Sequence, residues 1–146
     1  QLVWQQNRKL FKEDVSASVG LLEDITGKPV RYFRAPGFSI RSSEAWAFEV
    51  IRECGIEVDC SVFPAHHAHG GIPSYGKAVP SIIRHEGMTI KEFPICTKVI
   101  GSQHIIFSGG GYFRLFPYWL LVDFRFTDLA TADRQVDWTS APVVEL

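Results

Sequence analysis

Arg34 opens a short segment, RAPGFSI at residues 34–40, whose composition constrains the backbone. Pro36 fixes its own φ angle and biases Ala35 towards extended geometry, while Gly37 reaches dihedral angles closed to other residues. A loop of this kind holds a defined shape. Arg34 is therefore either a buried structural arginine or an active-site residue that holds a carboxylate. The restricted loop favours the second interpretation.

Asp59 is the second candidate for chemistry. It lies in the run IEVDC at residues 56–60, which has the composition of a short strand. Sites in α/β proteins cluster where parallel strands end, and we expect Arg34 and Asp59 to lie at the carboxyl ends of neighbouring strands. The carboxylate of Asp59 can pair with Arg34, or it can serve as a helix cap or in a turn, and the sequence leaves these roles open.

Three histidines, His66, His67 and His69, fall within four positions of the loop that follows. Imidazole is the commonest neutral metal ligand, so this spacing invites a metal interpretation. Adjacent side chains of an extended loop point in different directions, however. No acidic residue lies between Asp59 and Glu86 to complete a site for a hard metal ion. We favour the competing interpretation, in which a histidine lines a ligand groove.

Other catalytic patterns are weak or absent. The three glycines at 109–111 precede a predicted helix and resemble an anion cradle, but neither nucleotide-binding glycine pattern is present. There is no GxSxG motif for a serine nucleophile. The cysteines, Cys54, Cys60 and Cys96, are odd in number and lack a CxxC spacing. They are predicted to be small buried hydrophobic residues rather than disulfide partners or zinc ligands.

The elements that position these residues follow from periodicity. Residues 7–26 carry one apolar helical face, and 30–34 read as a strand. A second helix begins near Ser42 or Ser43 and ends at Gly55, and 56–60 is the next strand. The order helix, strand, helix, strand predicts parallel strands with crossover helices, hence the α/β class. The predicted inward residues are Phe11, Val15, Val19, Leu22 and Ile25 on the first helix and Ala47, Val50, Ile51 and Cys54 on the second.

The rest of the chain is less regular. Residues 61–78 form a long loop, which we expect to be ordered because it is rich in apolar and aromatic residues. Two further strands are predicted at 79–85 and 89–95, and we expect residues 7–95 to form alternating helices and parallel strands. An aromatic helix follows from about residue 112, and the tail 122–146 shows no clear periodicity.

Composition excludes several classes of function. The chain has 146 residues, enough for one domain, with a net charge of −1 and a sequence pI near 6.6. This charge gives no electrostatic basis for binding nucleic acid or an anionic membrane. No apolar run reaches the roughly 18 residues that cross a bilayer. The chain begins without Met, and we expect it to be a mature product or a fragment.

Four stretches resemble, in order, segments of the polysaccharide deacetylases with a NodB homology domain, which are carbohydrate esterases. They are YFRAPGFSI, GIEVDCSVFPAHHAHGGIP, KEFPI and SGGGYFRLFPYW. The resemblance is closest to the subgroup associated with bacterial exopolysaccharide loci and covers residues 1–121, leaving 122–146 as a divergent tail of uncertain structure. It implies an incomplete irregular (β/α)7 barrel and an N-acetylated polysaccharide as the partner. It leaves localisation open between bacterial cytoplasm and cell envelope.

The resemblance also implies roles for individual residues. Arg34 and Pro36 match the third motif of the family, whose arginine orients the catalytic base. Asp59 and Ser61 match the fourth motif, which borders the substrate groove, and His67 matches the loop extension of that motif. In the family, an Asp and two His hold zinc or a similar divalent ion, whose bound water attacks the acetamide carbonyl and hydrolyses this non-peptide C–N bond.

The remaining motifs of the family are missing. Nothing matches the TFDDG-like first motif, the HxxxH second motif, which would end just before QLVWQQ, or the last motif with its general-acid histidine. The chain therefore resembles the middle of a deacetylase, and we expect little or no hydrolysis from it alone and no metal at the family's site. A non-catalytic carbohydrate-binding or assembly module is the alternative. Strands left without neighbours would favour self-association.

Overall fold

The computed structural model describes residues 1–66, 68–95, 97–100, 103–106 and 136–146. Within them are two α-helices and seven strands, together with short 3₁₀ turns that include Val3–Gln5, Pro36–Phe38 and Pro73–Tyr75. The helices are α1 (Arg8–Thr26) and α2 (Trp46–Glu53). The strands are β1 (Tyr32–Phe33), β2 (Val58–Asp59), β3 (Ser81–His85), β4 (Met88–Glu92), β5 (Thr97–Ile100), β6 (Gln103–Ile106) and β7 (Val143–Glu145).

Five of these strands form one sheet in the order β1-β2-β4-β3-β7. The pairs β1–β2, β2–β4 and β3–β7 are parallel, and the pair β3–β4 is antiparallel. Strands β5 and β6 pair separately and antiparallel. The predicted α/β class is confirmed as a mixed α/β fold with a mostly parallel sheet, and β1-α2-β2 is the predicted parallel unit with a crossover helix. The (β/α)7 barrel stays a prediction.

The hairpin β3–β4 corrects one expectation. Strands within 7–95 were predicted to be parallel, but β3 and β4 are joined by the two residues Glu86 and Gly87, whose φ angles are 44° and 83°. Positive φ at both central positions is typical of the tight turn that links antiparallel strands. A parallel connection needs a dozen or more residues. The prediction was therefore wrong for this pair.

Helix α1 begins and ends at recognisable caps. The Asn7 side chain accepts a hydrogen bond from the Leu10 N–H at 2.9 Å, and Gly27 follows the last residue with φ 64°. Both arrangements satisfy backbone groups that a helix end leaves unpaired.

The apolar face of α1 is covered only over its first half. Phe11 and Val15 are buried, but Leu22 is 48% exposed and Ile25 is 72% exposed, so the prediction that all five apolar residues point inward was wrong for these two. The physical reason is that α1 is longer than the sheet it covers, since 19 residues of helix extend about 28 Å. The longest strands of the main sheet have five residues and extend about 17 Å.

The core lies between the helices and the main sheet. In α2 the predicted inward residues Ala47, Val50 and Ile51 are fully buried, and Cys54 is half-buried. They pack in one cluster with Ile56 and with other side chains from the helices, the strands and the connecting loops: Val3, Phe11, Val15, Ala35, Ile40, Phe48, Val62, Ile72, Tyr75, Ile83 and Ile90. The expectation that the loop at 61–78 is ordered through its apolar residues holds for Val62, Ile72 and Tyr75.

Part of the tail belongs to the sheet. Strand β7 pairs in parallel with β3, with Ile83 opposite Val144. The predicted aromatic helix at 112–121, the glycines at 109–111 and residues 122–135 lie outside the described residues. Among the described helices, none combines the length and the apolar composition that a membrane crossing requires.

Candidate site at the strand ends

Strands β1 and β2 end side by side. Phe33 is the register partner of Asp59, and the Cys60 N–H donates to the Phe33 carbonyl at 2.9 Å. Arg34 directly follows β1. The prediction that Arg34 and Asp59 lie at the carboxyl ends of neighbouring parallel strands is thus confirmed. We call residues 34–39 and 59–66 the strand-end site.

The segment after β1 is a compact turn. Pro36 is exposed and begins the 3₁₀ turn, and Gly37 and Phe38 both have positive φ angles, 61° and 52°. The backbone of Phe38 and Ser39 packs directly on Gly70. A Cβ atom added to Gly70 would lie 2.0 Å from the Phe38 carbonyl oxygen, so no larger residue fits without a shift of the backbone. Contact with a second loop therefore holds this turn in the defined shape that its sequence predicts.

Arg34 is exposed and points along this surface. Its Nε donates to the Cys60 carbonyl at 3.2 Å, and its guanidinium carbon lies 5.9 Å from the centre of the Phe38 ring. In the part of the chain that the structure describes, Arg34 forms no ion pair. A guanidinium held at one nitrogen keeps its outer donors available for an anion or a polar ligand.

Asp59 does not pair with Arg34, which settles the alternatives left open by the sequence. Its side chain is fully buried, Oδ1 accepts from the Ser61 hydroxyl at 2.6 Å, and Oδ2 accepts from the Ser61 N–H at 3.0 Å. This is the turn role that aspartate side chains often take. Because the carboxylate points inward while Arg34 remains at the surface, the expected ion pair does not form.

Ser61 joins the two halves of the strand-end site. Its hydroxyl oxygen accepts from the Ala35 N–H at 2.7 Å while donating to Asp59. Ser61 is fully buried, so both bonds lie away from solvent. The resemblance places Ser61 in the groove border. In the structure it lies beneath the surface, where it links one segment to the other, and its place in a groove stays a prediction.

Glu92 is a further buried acid at this site, and sequence reasoning did not single it out. It ends β4 as the register partner of Asp59 and has no exposed surface. Oε1 accepts from the Val62 N–H at 3.0 Å, whereas Oε2 is buried and accepts no hydrogen bond from the described residues. A signal was present: Glu92 follows the core residue Ile90 by two positions, and strand side chains two apart share a face.

Burial dominates the electrostatics of this pair. Loss of solvent raises the pKa of Glu92 well above its usual range, and the neighbouring charge of Asp59 raises it further. Burial also raises the pKa of Asp59, although its interactions with Glu92 and Ser61 oppose the shift. Asp59 has the better hydrogen-bonded carboxylate, so we assign the first proton bound by this coupled pair to Glu92.

Cys60 and Tyr75 lie beside the acids and are not activated. Burial, followed by the charge of Asp59, raises the pKa of the Cys60 thiol, which keeps it protonated and poorly nucleophilic. Burial likewise raises the pKa of Tyr75, and negative charge on Glu92 adds to the shift. Cys54 and Cys60 are free thiols, as predicted, but both are half-buried rather than fully buried, and Cys96 is outside the described residues.

The described histidines of this loop belong to no group of three potential metal ligands. His66 is exposed, and the predicted groove residue His67 lies outside the described residues. Across the described ranges, one group of at least three potential metal-binding side chains is present: Glu49, His85 and Glu86. His85 pairs with Met88 at the start of β4, so this group lies at the opposite end of the sheet from Glu92. The described donors therefore do not fit a metal ion at the strand-end site.

The described arrangement suits binding better than bond breaking. The carboxyl groups are buried and bonded to the backbone, the thiol is protonated, and the exposed functional groups are those of Arg34 and His66. These side chains can donate hydrogen bonds to a polar ligand that lies across the strand ends.

Comparison with known proteins places the chain in a family. The family model described as "Domain of unknown function (DUF3473)" matches residues 60–136, which is just over half of the 146 residues. The match begins at Cys60, directly after β2. No curated protein and no solved structure matches the chain.

Proposed function

The chain belongs to the family described as "Domain of unknown function (DUF3473)", and from this premise we propose that it is a segment of a metal-dependent polysaccharide deacetylase. In this proposal residues 1–121 are part of an α/β barrel of the NodB homology type, and the substrate is an N-acetylated polysaccharide. The family is associated with polysaccharide deacetylases in general. The subgroup of exopolysaccharide loci, and hence a bacterial source, rests on the resemblance of the four stretches alone.

One observation carries the proposal: an exposed arginine stands at the strand ends, held by the segment that follows the next strand. The contact from Arg34 Nε to the Cys60 carbonyl sets its position, and Pro36 and Phe38 form the wall beside it. In the family that the sequence resembles, the arginine of this motif orients the catalytic base. The outer nitrogens of Arg34 are suited to that task because they can donate to a carboxylate.

In such an enzyme zinc or a similar divalent ion supplies a bound water for attack on the acetamide. The described residues do not fit such an ion at the strand-end site, so the proposed role of this chain is to shape the groove. Arg34 donates hydrogen bonds at the groove floor, and Ser61 and Asp59 hold the two loops in register from below. We expect no acetate release from the chain alone.

A second candidate is a carbohydrate-binding or assembly module without catalysis, and a specific surface favours it. Trp4 is 37% exposed, its Nε1 donates to the His69 carbonyl at 2.8 Å, and the Arg41 guanidinium lies 4.5 Å above its ring. The turn that bears Trp4 is attached to the strand-end site, because the Val3 N–H donates to the Ser39 hydroxyl. A partly exposed indole can provide an apolar face for a sugar ring.

Affinity electrophoresis tests both candidates. The chain is run through gels that contain a β-linked N-acetylglucosamine polymer, its de-N-acetylated form, or no polymer. Arg34→Ala is compared with Arg84→Ala, which removes an exposed arginine on β3. We expect retardation by the N-acetylated polymer, lost in Arg34→Ala and kept in Arg84→Ala. Equal retardation by both polymers would favour the binding module, and no retardation would contradict both candidates.

A further inference from the structure

Asp59 and Glu92 form a pair of buried carboxyl groups on neighbouring strands. They are register partners on β2 and β4, and neither has any exposed surface. We infer that the pair binds a single proton and acts as a latch: the protonated pair fastens residues 60–62 beneath the strand-end site, and loss of the proton loosens them. This inference does not depend on the substrate or on the proposed hydrolysis.

The hydrogen bonds around the pair require a proton on one member. Asp59 accepts from the hydroxyl and the N–H of Ser61, which suits an ionised carboxylate. Glu92 accepts only through Oε1 in the described structure, and its Oε2 is buried without a partner. A bare anionic oxygen in this position is costly because no described group replaces its lost water. A proton on Oε2 removes the charge and turns that oxygen into a donor beside Asp59.

The described groups that surround the pair do not neutralise two negative charges. From β2 and the following residues they are the Cys60 thiol and Ser61, and from the turn Pro73–Tyr75 and β3 they are the Tyr75 hydroxyl and Ser81. Within the described ranges, no lysine, arginine or histidine forms an ion pair with either acid. Arg34 is exposed and bonded to the Cys60 carbonyl, so solvent screens much of its charge.

Hydrogen bonds connect the pair to backbone outside its own two strands. Through Ser61, Asp59 is connected to the Ala35 N–H and thus to the turn after β1. Through Oε1, Glu92 holds the Val62 N–H, and the Val62 carbonyl accepts from the Ile95 N–H at 2.8 Å. If both acids ionise, their repulsion acts on Ser61 and Val62 and thus on the segment whose Cys60 carbonyl accepts from Arg34.

The pH dependence has a definite sign. The folded pair keeps a proton at pH values where a glutamate in the unfolded chain has already lost it. Folded molecules therefore bind more protons than unfolded ones between the usual range of glutamate and the raised folded pKa. Stability is full below this window and falls as pH rises through it, by up to tenfold in the folding equilibrium constant per pH unit. Above the window the loss levels off.

Urea unfolding across a pH series tests the latch. Glu92→Gln carries a neutral amide that can still accept from Val62 and donate to Asp59, so it mimics the protonated acid. Glu57→Gln is the matched control, because the Glu57 side chain forms an ion pair with Arg31 that is largely exposed to solvent. We expect wild type and Glu57→Gln to lose stability with rising pH and Glu92→Gln to lose markedly less. The same slope in all three proteins would overturn the inference.

A second measurement uses the wild-type protein alone. The infrared C=O stretch of a buried protonated carboxylic acid is separate from that of a carboxylate, and wild type is expected to show it at pH values above the usual range of glutamate. Its loss on titration is expected to coincide with one shift of the Val62 amide signal in NMR spectra. Absence of a protonated carboxyl directly above the usual range of glutamate would overturn the inference, even if Glu92→Gln failed to fold.

Discussion

Ser61→Ala is expected to be the most informative single substitution at the strand ends. The change removes one hydroxyl and leaves the backbone in place. That hydroxyl donates to Asp59 at 2.6 Å and accepts from the Ala35 N–H at 2.7 Å, and it is fully buried. The substitution thus removes both side-chain links between the turn after β1 and the acid on β2.

The expected loss of stability follows from the hydrogen-bonding groups that Ser61→Ala leaves without a partner. A buried N–H without a partner costs about 1–3 kcal/mol, and a hydrogen bond to a charged group contributes about 1.5–3 kcal/mol. Asp59 keeps its bond from the Ser61 N–H, and neighbouring effects are not additive. We therefore expect a loss of about 3 kcal/mol in the free energy of unfolding, or a fall of roughly 10 °C in Tm for a chain of this size.

Chemical and thermal unfolding monitored by circular dichroism measure this loss. The matched control is Ser18→Ala, an exposed serine of α1, which is expected to change stability by less than about 0.5 kcal/mol. NMR adds a local readout, since the Ala35 amide is expected to exchange faster with solvent in Ser61→Ala. Equal stability of the two variants would refute the reasoning that Ser61 fastens the loops together.

Three further predictions concern packing, association and metal. Gly70→Ala is expected to lower the free energy of unfolding in urea by more than about 2 kcal/mol, because the added Cβ would lie 2.0 Å from the Phe38 carbonyl oxygen. The control is Gly20→Ala, because no atom lies within 4 Å of a Cβ added at Gly20. The paired substitution Leu22→Ser and Ile25→Ser is expected to reduce self-association in light scattering, whereas Leu10→Ser is not, because the exposed pair continues the core-facing side of α1. Metal analysis after exhaustive dialysis is expected to find no stoichiometric zinc, and one tight equivalent lost in His66→Ala would support the three-histidine site instead.

Local patterns predicted the part of the fold that places the strand-end site. Proline, glycine and the apolar periodicity of α2 fix the unit β1-α2-β2, and with it the positions of Arg34 and Asp59. The orientation of β3 against β4 was missed because the turn at Glu86 and Gly87 was not recognised as a hairpin. Strand β7 was missed because three residues are too few to show a period.

The site itself was only partly predictable. Whether Asp59 faces Arg34 or Ser61 depends on which way its side chain points, and neighbouring strands decide this after folding. Glu92 has an ionisable side chain, and glutamate is rarely fully buried, so its burial contradicts the usual expectation. The exposure of Leu22 and Ile25 depends on the length of the sheet under α1, which the sequence of the helix does not contain.

The central claim is that the strand ends form a groove for an N-acetylated polysaccharide, and residue-resolved NMR tests it most directly. Labelled chain is titrated with a β-linked N-acetylglucosamine oligomer and, in parallel, with its de-N-acetylated form. The account predicts larger shifts with the N-acetylated oligomer, at backbone amides and the Arg34 side chain within residues 34–39 and 59–66. Shifts confined to residues outside this site, such as the pocket lined by Arg52, Glu57 and Lys91, or no shifts at all, would contradict it.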